Sequence, residues 1–342
     1  MLGNTRSSIC RHALAIATTL FAVVPTCSAQ VAKQVAQKAF PSVVLLVMND
    51  QNGQALSLGS GFFVRRGIIA TNLHVVQGAT GGYAKLIEQS SKRQVTGVVA
   101  IDWTHDLALV EVPDQTAIPL SLGDSTQLAV GDEIYAIGNP QGLEGTLSQG
   151  IISGIRTVGV DSVLQITAPI SPGSSGGPVL NARGEVIGIA VATLRGGQNL
   201  NFAIPAKYLA ALCADIQSAR PLSILKSKPG QAKGIASNVG EPPVKGLIAT
   251  QFLWDPTYIG DFSPPGGFSL SLRNTLPEPV SKVRLLIIFY DRSNRPLETY
   301  EGHWDAAIRP GLAARVDGLV DGSVRRLTGR VEFRILDFRL GP

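Results

Sequence analysis

What most constrains the fold of this chain is its punctuation: short apolar runs recur between Gly, Asn and Asp turns, with almost no helical pattern among them. The runs are Ser42 to Met48, Gly61 to Val64, Gly67 to Thr71, Tyr83 to Ile87, Gln94 to Asp102, Leu107 to Val112, Glu133 to Ile137, Ile151 to Ile155, Val163 to Thr167, Pro178 to Leu180, Val186 to Ala192 and Asn201 to Ile204. Strands at this spacing, without crossover helices, build an all-β sandwich or barrel. Helical periodicity is confined to Val31 to Phe40, stopped by Pro41, and to an amphipathic stretch that Pro205 opens and that runs to about Ala219.

At 342 residues and 44% hydrophobic content the chain exceeds one typical domain, and two are expected. Over residues 220–245 the composition shifts to Ser, Lys, Pro and Gly with little apolar periodicity, which reads as a linker. Alternation returns in 246–342, at Phe268 to Leu272, Val283 to Tyr290 and Val331 to Phe338, with turns at Asn274, Asp291 to Pro296 and Pro310-Gly311. A stretch of that length and pattern suits a small immunoglobulin-like β-sandwich.

Residues 1–29 read as a secretory signal: Arg6 and Arg11, an apolar run from Ala13 to Val24, then Cys27-Ser28-Ala29 as a small-residue cleavage site. The run is too short for a comfortable membrane span, so none is expected after cleavage. Removing the signal lowers the formal charge from +5 to +3, too mild to imply a nucleic-acid partner. Cys10 and Cys27 leave with it, so Cys213 has no internal disulfide partner and reads as a small buried hydrophobe. Export without disulfides points to a bacterial periplasm or the extracellular space. Four histidines, one of them in the signal, and a lone thiol offer no metal-ligand spacing, and no cofactor is expected.

The chemistry-bearing stretch is Ser171-Pro172-Gly173-Ser174-Ser175-Gly176-Gly177-Pro178. A serine hydroxyl is a poor nucleophile at neutral pH and needs an imidazole to take its proton, and the imidazole needs a carboxylate to fix its tautomer. His74, in Thr71-Asn72-Leu73-His74-Val75-Val76, is the candidate base; Asp106, opening Asp106-Leu107-Ala108-Leu109-Val110, is the candidate orienting group; Ser175 is the candidate nucleophile. The backbone N–H groups of Gly173 and Ser175 are placed to meet negative charge on a carbonyl oxygen, and the glycines permit so tight a turn. Ser174 is the adjacent rival, but the glycine pair after position 175 favours Ser175. His105 is the rival base; neighbouring strand residues point to opposite faces, so it does not suit Asp106 and reads as a solvated or capping residue. Asp102 is the rival carboxylate, and Trp103 reads as packing. The five residues from Gly173 to Gly177 also fit the G-x-S-x-G elbow of α/β-hydrolases, but Pro178 and a strand pattern follow where that fold needs a helix.

These blocks, with Gly59-Ser60-Gly61-Phe62-Phe63-Val64, Ala136-Ile137-Gly138-Asn139-Pro140-Gln141-Gly142 and Asn201-Phe202-Ala203-Ile204-Pro205, resemble serine peptidases of the trypsin-like fold, of the HtrA/Deg branch. The resemblance covers roughly residues 31 to 219; no PDZ-like pattern follows, and Ser171 stands where the branch more often has Asn. It implies a peptidase domain over 30–219 made of two six-stranded barrels with the catalytic cleft between them. It further implies a serine endopeptidase acting through an acyl-enzyme on unfolded or damaged envelope polypeptides, and it leaves a homo-oligomer open. By the same resemblance the specificity pocket is lined by Ala168, Pro169 and Ile170 and by Ala190, Val191 and Ala192; no acidic residue lies there, so a small aliphatic residue is expected before the cut. The run Val283 to Asp291 is similar to β-sandwich accessory domains of bacterial envelope proteins, whose partner here is unknown. The alternative is a weakly active or inactive peptidase-fold binding or scaffold protein of the envelope.

Overall fold

The computed structural model describes residues 28–341 except 88, 115, 140–144, 159–160, 192–200, 227–245, 256–266, 292, 294 and 320–327. The expected signal therefore lies almost wholly outside the described residues. Helix α1 (Ser28–Ala39) packs Val35 and Ala39, four residues apart, onto the core. Seven strands follow: β1 (Val43–Asn49), β2 (Ala55–Arg65), β3 (Ile68–Asn72), β4 (Gly81–Leu86), β5 (Lys92–Gln94), β6 (Gly97–Asp102) and β7 (Leu107–Glu111). They form one antiparallel sheet in the order β5-β4-β1-β2-β3-β7-β6, with the single-turn helix α2 (Leu73–Val76) between β3 and β4. The next six, β8 (Glu133–Gly138), β9 (Thr146–Val158), β10 (Asp161–Ile166), β11 (Pro178–Leu180), β12 (Val186–Val191) and β13 (Asn201–Pro205), close into a barrel.

The expected all-β, two-barrel architecture is present, with one difference: the first half is a seven-stranded sheet and the second a closed six-stranded barrel. The extra strand arises because the run Gln94 to Asp102 is two elements, not one. Gly97 lies under incoming chain: a Cβ there would stand 2.6 Å from the Arg220 carbonyl, and Val98 and Arg220 exchange backbone hydrogen bonds of 2.8 and 2.9 Å. That pairing also changes the reading of the linker, whose first residues are packed structure. Leu222 and Leu225, three apart on a 3₁₀ turn, are buried in the core of the first sheet. Helix α3 (Ala206–Ala214) ends before Ala219 and buries Leu209, Leu212 and Cys213.

Strand β1 is buried on both faces. Val43 joins Phe62, Ile137, Leu180, Ile189 and Leu209 between sheet and barrel, while Val44, Leu46 and Met48 face Phe63, Ile69 and Val110 inside the first sheet. The first of these cores fixes the two halves against each other, and the line between them is where the chemistry-bearing turns meet.

The C-terminal region holds β14 (Leu247–Asp255), β15 (Gly267–Asn274), β16 (Val280–Asp291), β17 (Pro296–Trp304), β18 (Ala313–Leu319) and β19 (Thr328–Leu340). They make two three-stranded sheets, β14-β15-β18 and β17-β16-β19, over a shared core of Leu270, Leu272, Val283, Leu285, Ile287 and Phe289. In β16 every second residue from Val283 to Phe289 is buried, the period-2 pattern read from the sequence. Fully burying one such side chain stabilises by roughly 1.5–3 kcal/mol, so this small region has a core of its own.

Candidate active site

Asp106 stands just before β7, beside the end of β3, since Asn72 pairs with Leu107. Its φ of +53° is a left-handed conformation that aspartate tolerates better than most residues. There it serves the start of α2 three ways. Its carbonyl accepts from the Leu73 N–H at 2.9 Å and the Asn72 amide at 3.0 Å, and its Oδ1 accepts from the His74 N–H at 2.8 Å. Its Oδ2 lies 2.6 Å from His74 Nδ1. That contact orients the ring and turns its other nitrogen, Nε2, away from the carboxylate.

The turn from Ser171 to Gly177 is shaped by its own backbone and by both halves of the molecule. Ser174 N–H donates to Ser171 O at 2.9 Å and Gly177 N–H to Ser174 O at 3.0 Å. Gly176 and Ala190 tie it to β12, and Ser60 N–H donates to Ser175 O at 2.8 Å from β2. Gly176 has φ +85°, and a Cβ there would stand 2.3 Å from both Ser60 O and Thr71 Oγ1; at Gly177 it would stand 2.1 Å from Ile137 O. The glycine pair is therefore the only sequence that lets the turn sit wedged between sheet and barrel. This packing seats the Ser175 turn against the end of β3, next to the helix that bears His74. Gly173 has φ +97°, and among the described residues no group accepts from the N–H of Gly173 or of Ser175. Both amides belong to the same turn, on either side of Ser174.

Ser60 and Asn139, which carry no visible task in the sequence, have one here. Both are fully buried. Ser60 Oγ donates to Gly173 O at 2.7 Å and accepts from Asn139 N–H at 2.9 Å, while the Asn139 amide also donates to Val44 O at 2.9 Å. Ser60 thus holds the turn at two carbonyls, those of Gly173 and Ser175. The signal available was its place between Gly59 and Gly61, whose missing side chains make room for Val75 and Ile69.

Next to the turn lies a cavity of about 170 Å³ lined by Ala136, Ile137, Gly138, Thr146, Ser148, Pro169, Ile170, Ser171, Ser174 and Ala190. Of the expected pocket, Pro169, Ile170 and Ala190 are there. Ala168 is not: it is buried among Ile134, Ile152 and Ile166, its carbonyl accepting from the Asn201 amide at 2.8 Å. Val191 is not either, since it pairs with Phe202 in the barrel wall and packs on the inner core. Ala192 lies outside the described residues. The missed lining comes from β8 and β9, which barrel closure brings against the turn. No ionisable side chain is among the lining residues. Ser174 lines this cavity, over Gly138.

His105 is neither solvated nor a cap. Its side chain is 14% exposed, its Nδ1 lies 2.6 Å from Asp102 Oδ2, its Nε2 lies 3.2 Å from Asp161 Oδ1, and its ring stacks on Tyr208 at 3.7 Å. Asp102 meanwhile holds the turn through the N–H groups of Thr104 and His105. The rival base and the rival carboxylate pair with each other. Trp103 packs against the first sheet's core, as read.

Residues 59–189 match the family model described as a trypsin-like peptidase domain. The chain is 38% identical over 171 residues to the anti-sigma-I factor RsgI9 of Acetivibrio thermocellus, covering 49% of this chain and 24% of that protein. It is 42% identical over 151 residues to the serine protease Do-like HtrB of Bacillus subtilis, covering 40% and 32%. The chain thus spans a quarter to a third of the length of these two relatives. The active form of the Rv3671c protease from M. tuberculosis superposes with a TM-score of 0.51 at 24% identity, over 57% of this chain and 89% of that one, a likeness of fold.

Proposed function

Residues 59–189 form a trypsin-like peptidase domain with relatives among HtrA-type serine proteases, and on that premise we propose that the chain is a serine endopeptidase. The observation that carries this reading is His74, held through Nδ1 by Asp106, on the helix turn beside a Ser175 turn with two unengaged N–H groups. In the proposed cycle His74 Nε2 takes the Ser175 hydroxyl proton as Oγ attacks the scissile carbonyl carbon. The amides of Gly173 and Ser175 receive the negative oxygen, each such donor lowering the barrier by roughly 3–4 kcal/mol. Asp106 balances the imidazolium. The imidazolium then protonates the leaving amine, and water, deprotonated by the same nitrogen, hydrolyses the acyl-enzyme.

The uncharged cavity beside Ser174 supports cleavage after a small aliphatic residue rather than Lys or Arg. We place the activity outside the cytoplasm, on unfolded or damaged envelope polypeptides, by analogy with relatives named periplasmic serine endoproteases. Among the described residues no helix is long and apolar enough to cross a membrane. The C-terminal region would then place the enzyme or recruit a partner. A second reading, a peptidase-fold scaffold that cleaves little, is favoured by the similarity to part of an anti-sigma factor. Incubation with unfolded casein separates the two: the peptidase reading expects fragments from the wild type and none from Ser175→Ala. An intact casein band with both would favour the scaffold.

A further inference from the structure

The C-terminal sheet β14-β15-β18 docks on the first half of β2. Ser271 Oγ donates to the Leu56 carbonyl, both residues being buried, and Arg273 donates to the Gln54 side chain and sits 4.0 Å from Asp50. One side chain goes further. Arg315 on β18 donates from Nη1 to the carbonyl of His74 at 3.0 Å and to that of Gln77 at 3.1 Å.

Those carbonyls belong to the helix turn that carries the imidazole. A single turn has almost no internal hydrogen bonds, so its carbonyls need outside donors. Leu73 O is met by Gln77 N–H at 2.9 Å and Val76 O by Ala79 N–H at 3.2 Å, from residues just after the turn, and Val75 O by Ser57 Oγ at 2.5 Å. His74 O and Gln77 O are met by Arg315, 241 and 238 residues along the chain. The N–H side of α2 is fixed by Asp106 and the carbonyl side by the C-terminal region.

We propose that Arg315 is a positioning residue for His74, so that alignment of the base depends on the C-terminal sandwich being docked. The proposal rests on the peptidase reading. Both bonds end on backbone carbonyls, so the effect passes through the backbone of α2. Loss of the clamp would let α2 rock about its Asp106 anchor, misaligning Nε2 for proton transfer while the cavity at β8, β9 and Ser171 stays as it is. The consequence is a loss in kcat without a matching change in KM.

The test uses the chain without its signal as wild type, Arg315→Ala, Arg315→Lys, Arg315→Gln and Arg273→Ala, each checked for an unchanged melting profile. Turnover of fluorescein-labelled casein is measured alongside low-field proton NMR of the two His–Asp hydrogen bonds, assigned by their loss in Asp106→Asn and Asp102→Asn. We expect Arg315→Ala to lower kcat at least about tenfold with KM within about twofold, Arg315→Lys to recover most of it, and Arg273→Ala, which leaves α2 untouched, to stay within about threefold. The His74 proton should broaden or vanish in Arg315→Ala while the His105 proton persists. An Arg315→Ala enzyme with wild-type kcat and an unchanged His74 proton overturns the proposal, and so does an Arg273→Ala enzyme as impaired as Arg315→Ala. If Arg315→Ala does not fold, Arg315→Gln takes its place with the same criteria. A wild type that leaves casein intact defeats the peptidase reading instead, and the proton spectra alone then decide whether Arg315 holds His74.

Discussion

Two histidines in this chain make the same 2.6 Å bond from Nδ1 to an aspartate, His74 to Asp106 and His105 to Asp102, and the two aspartates are four residues apart. The pairs nevertheless occupy different surroundings. His105 bonds Asp102 through Nδ1, has the Asp161 carboxylate 3.2 Å from Nε2 and an aromatic ring on its face, so it joins the end of β6 to β10 and α3 as a structural pin. His74 stands on a single helix turn beside the Ser175 turn, with 25% of its side chain exposed. A histidine–aspartate bond is therefore no mark of catalysis by itself; what the second nitrogen meets decides the role.

The most damaging test of that contrast is replacement of one ring at a time. Ser175→Ala and His74→Ala should each lower casein hydrolysis by roughly 10⁴-fold or more, the scale of losing a triad member. His105→Ala should keep turnover within about tenfold while lowering the melting temperature, because it removes a largely buried ring that bonds Asp102 through Nδ1 and stacks on Tyr208. Equal losses from both histidines would dissolve the distinction. A finer version swaps the carboxylates. Asp106→Asn should cost on the order of 10³–10⁴ in kcat with the fold intact, through the wrong tautomer, whereas Asp102→Asn should act mainly on thermal stability. Comparing the two melting curves with the two turnover numbers reads this directly.

Asp114 extends the contrast to a carboxylate used for folding alone. Burial would raise its pKa, but the Thr116 hydroxyl and N–H and the Arg93 guanidinium, 2.5 Å away, outweigh burial and hold it below the usual carboxylate value. Its folded pKa being depressed, the stability it contributes is present above the unfolded value and is lost as pH falls through the folded one. Asp114→Asn should thus destabilise by about 1.5–3 kcal/mol at neutral pH, with the gap closing below about pH 4 in denaturant titrations. Smallest of all, Cys213 has its thiol pushed up by burial and should resist alkylation at neutral pH until the protein unfolds, which mass spectrometry after iodoacetamide would register.

Much of this was legible in the sequence because it is local. Strand periodicity gave the all-β class, and the glycines around Ser175 announced a turn that a Cβ would not fit. What was hidden is what comes together from afar. The cavity wall from β8 and β9 depends on barrel closure, so Ala168 and Val191 were read as lining when the barrel buries the one and makes the other part of its wall. His105 was read as solvated because Asp161 and Tyr208 lie some 56 and 103 residues further on, in another half of the molecule. Ser60 and Asn139 had no visible task because their partners, Gly173 and Val44, are as distant. The packed start of the linker at Leu222 and Leu225 looked polar on average while two leucines carried the contact.

Labelling with a serine-directed fluorophosphonate, followed by peptide mapping, tests the central claim most directly. The account predicts one adduct, on Ser175, absent in Ser175→Ala, at least about a thousandfold slower in His74→Ala and nearly undiminished in His105→Ala. An adduct on Ser174, or labelling of Ser175 that does not need His74, would contradict it.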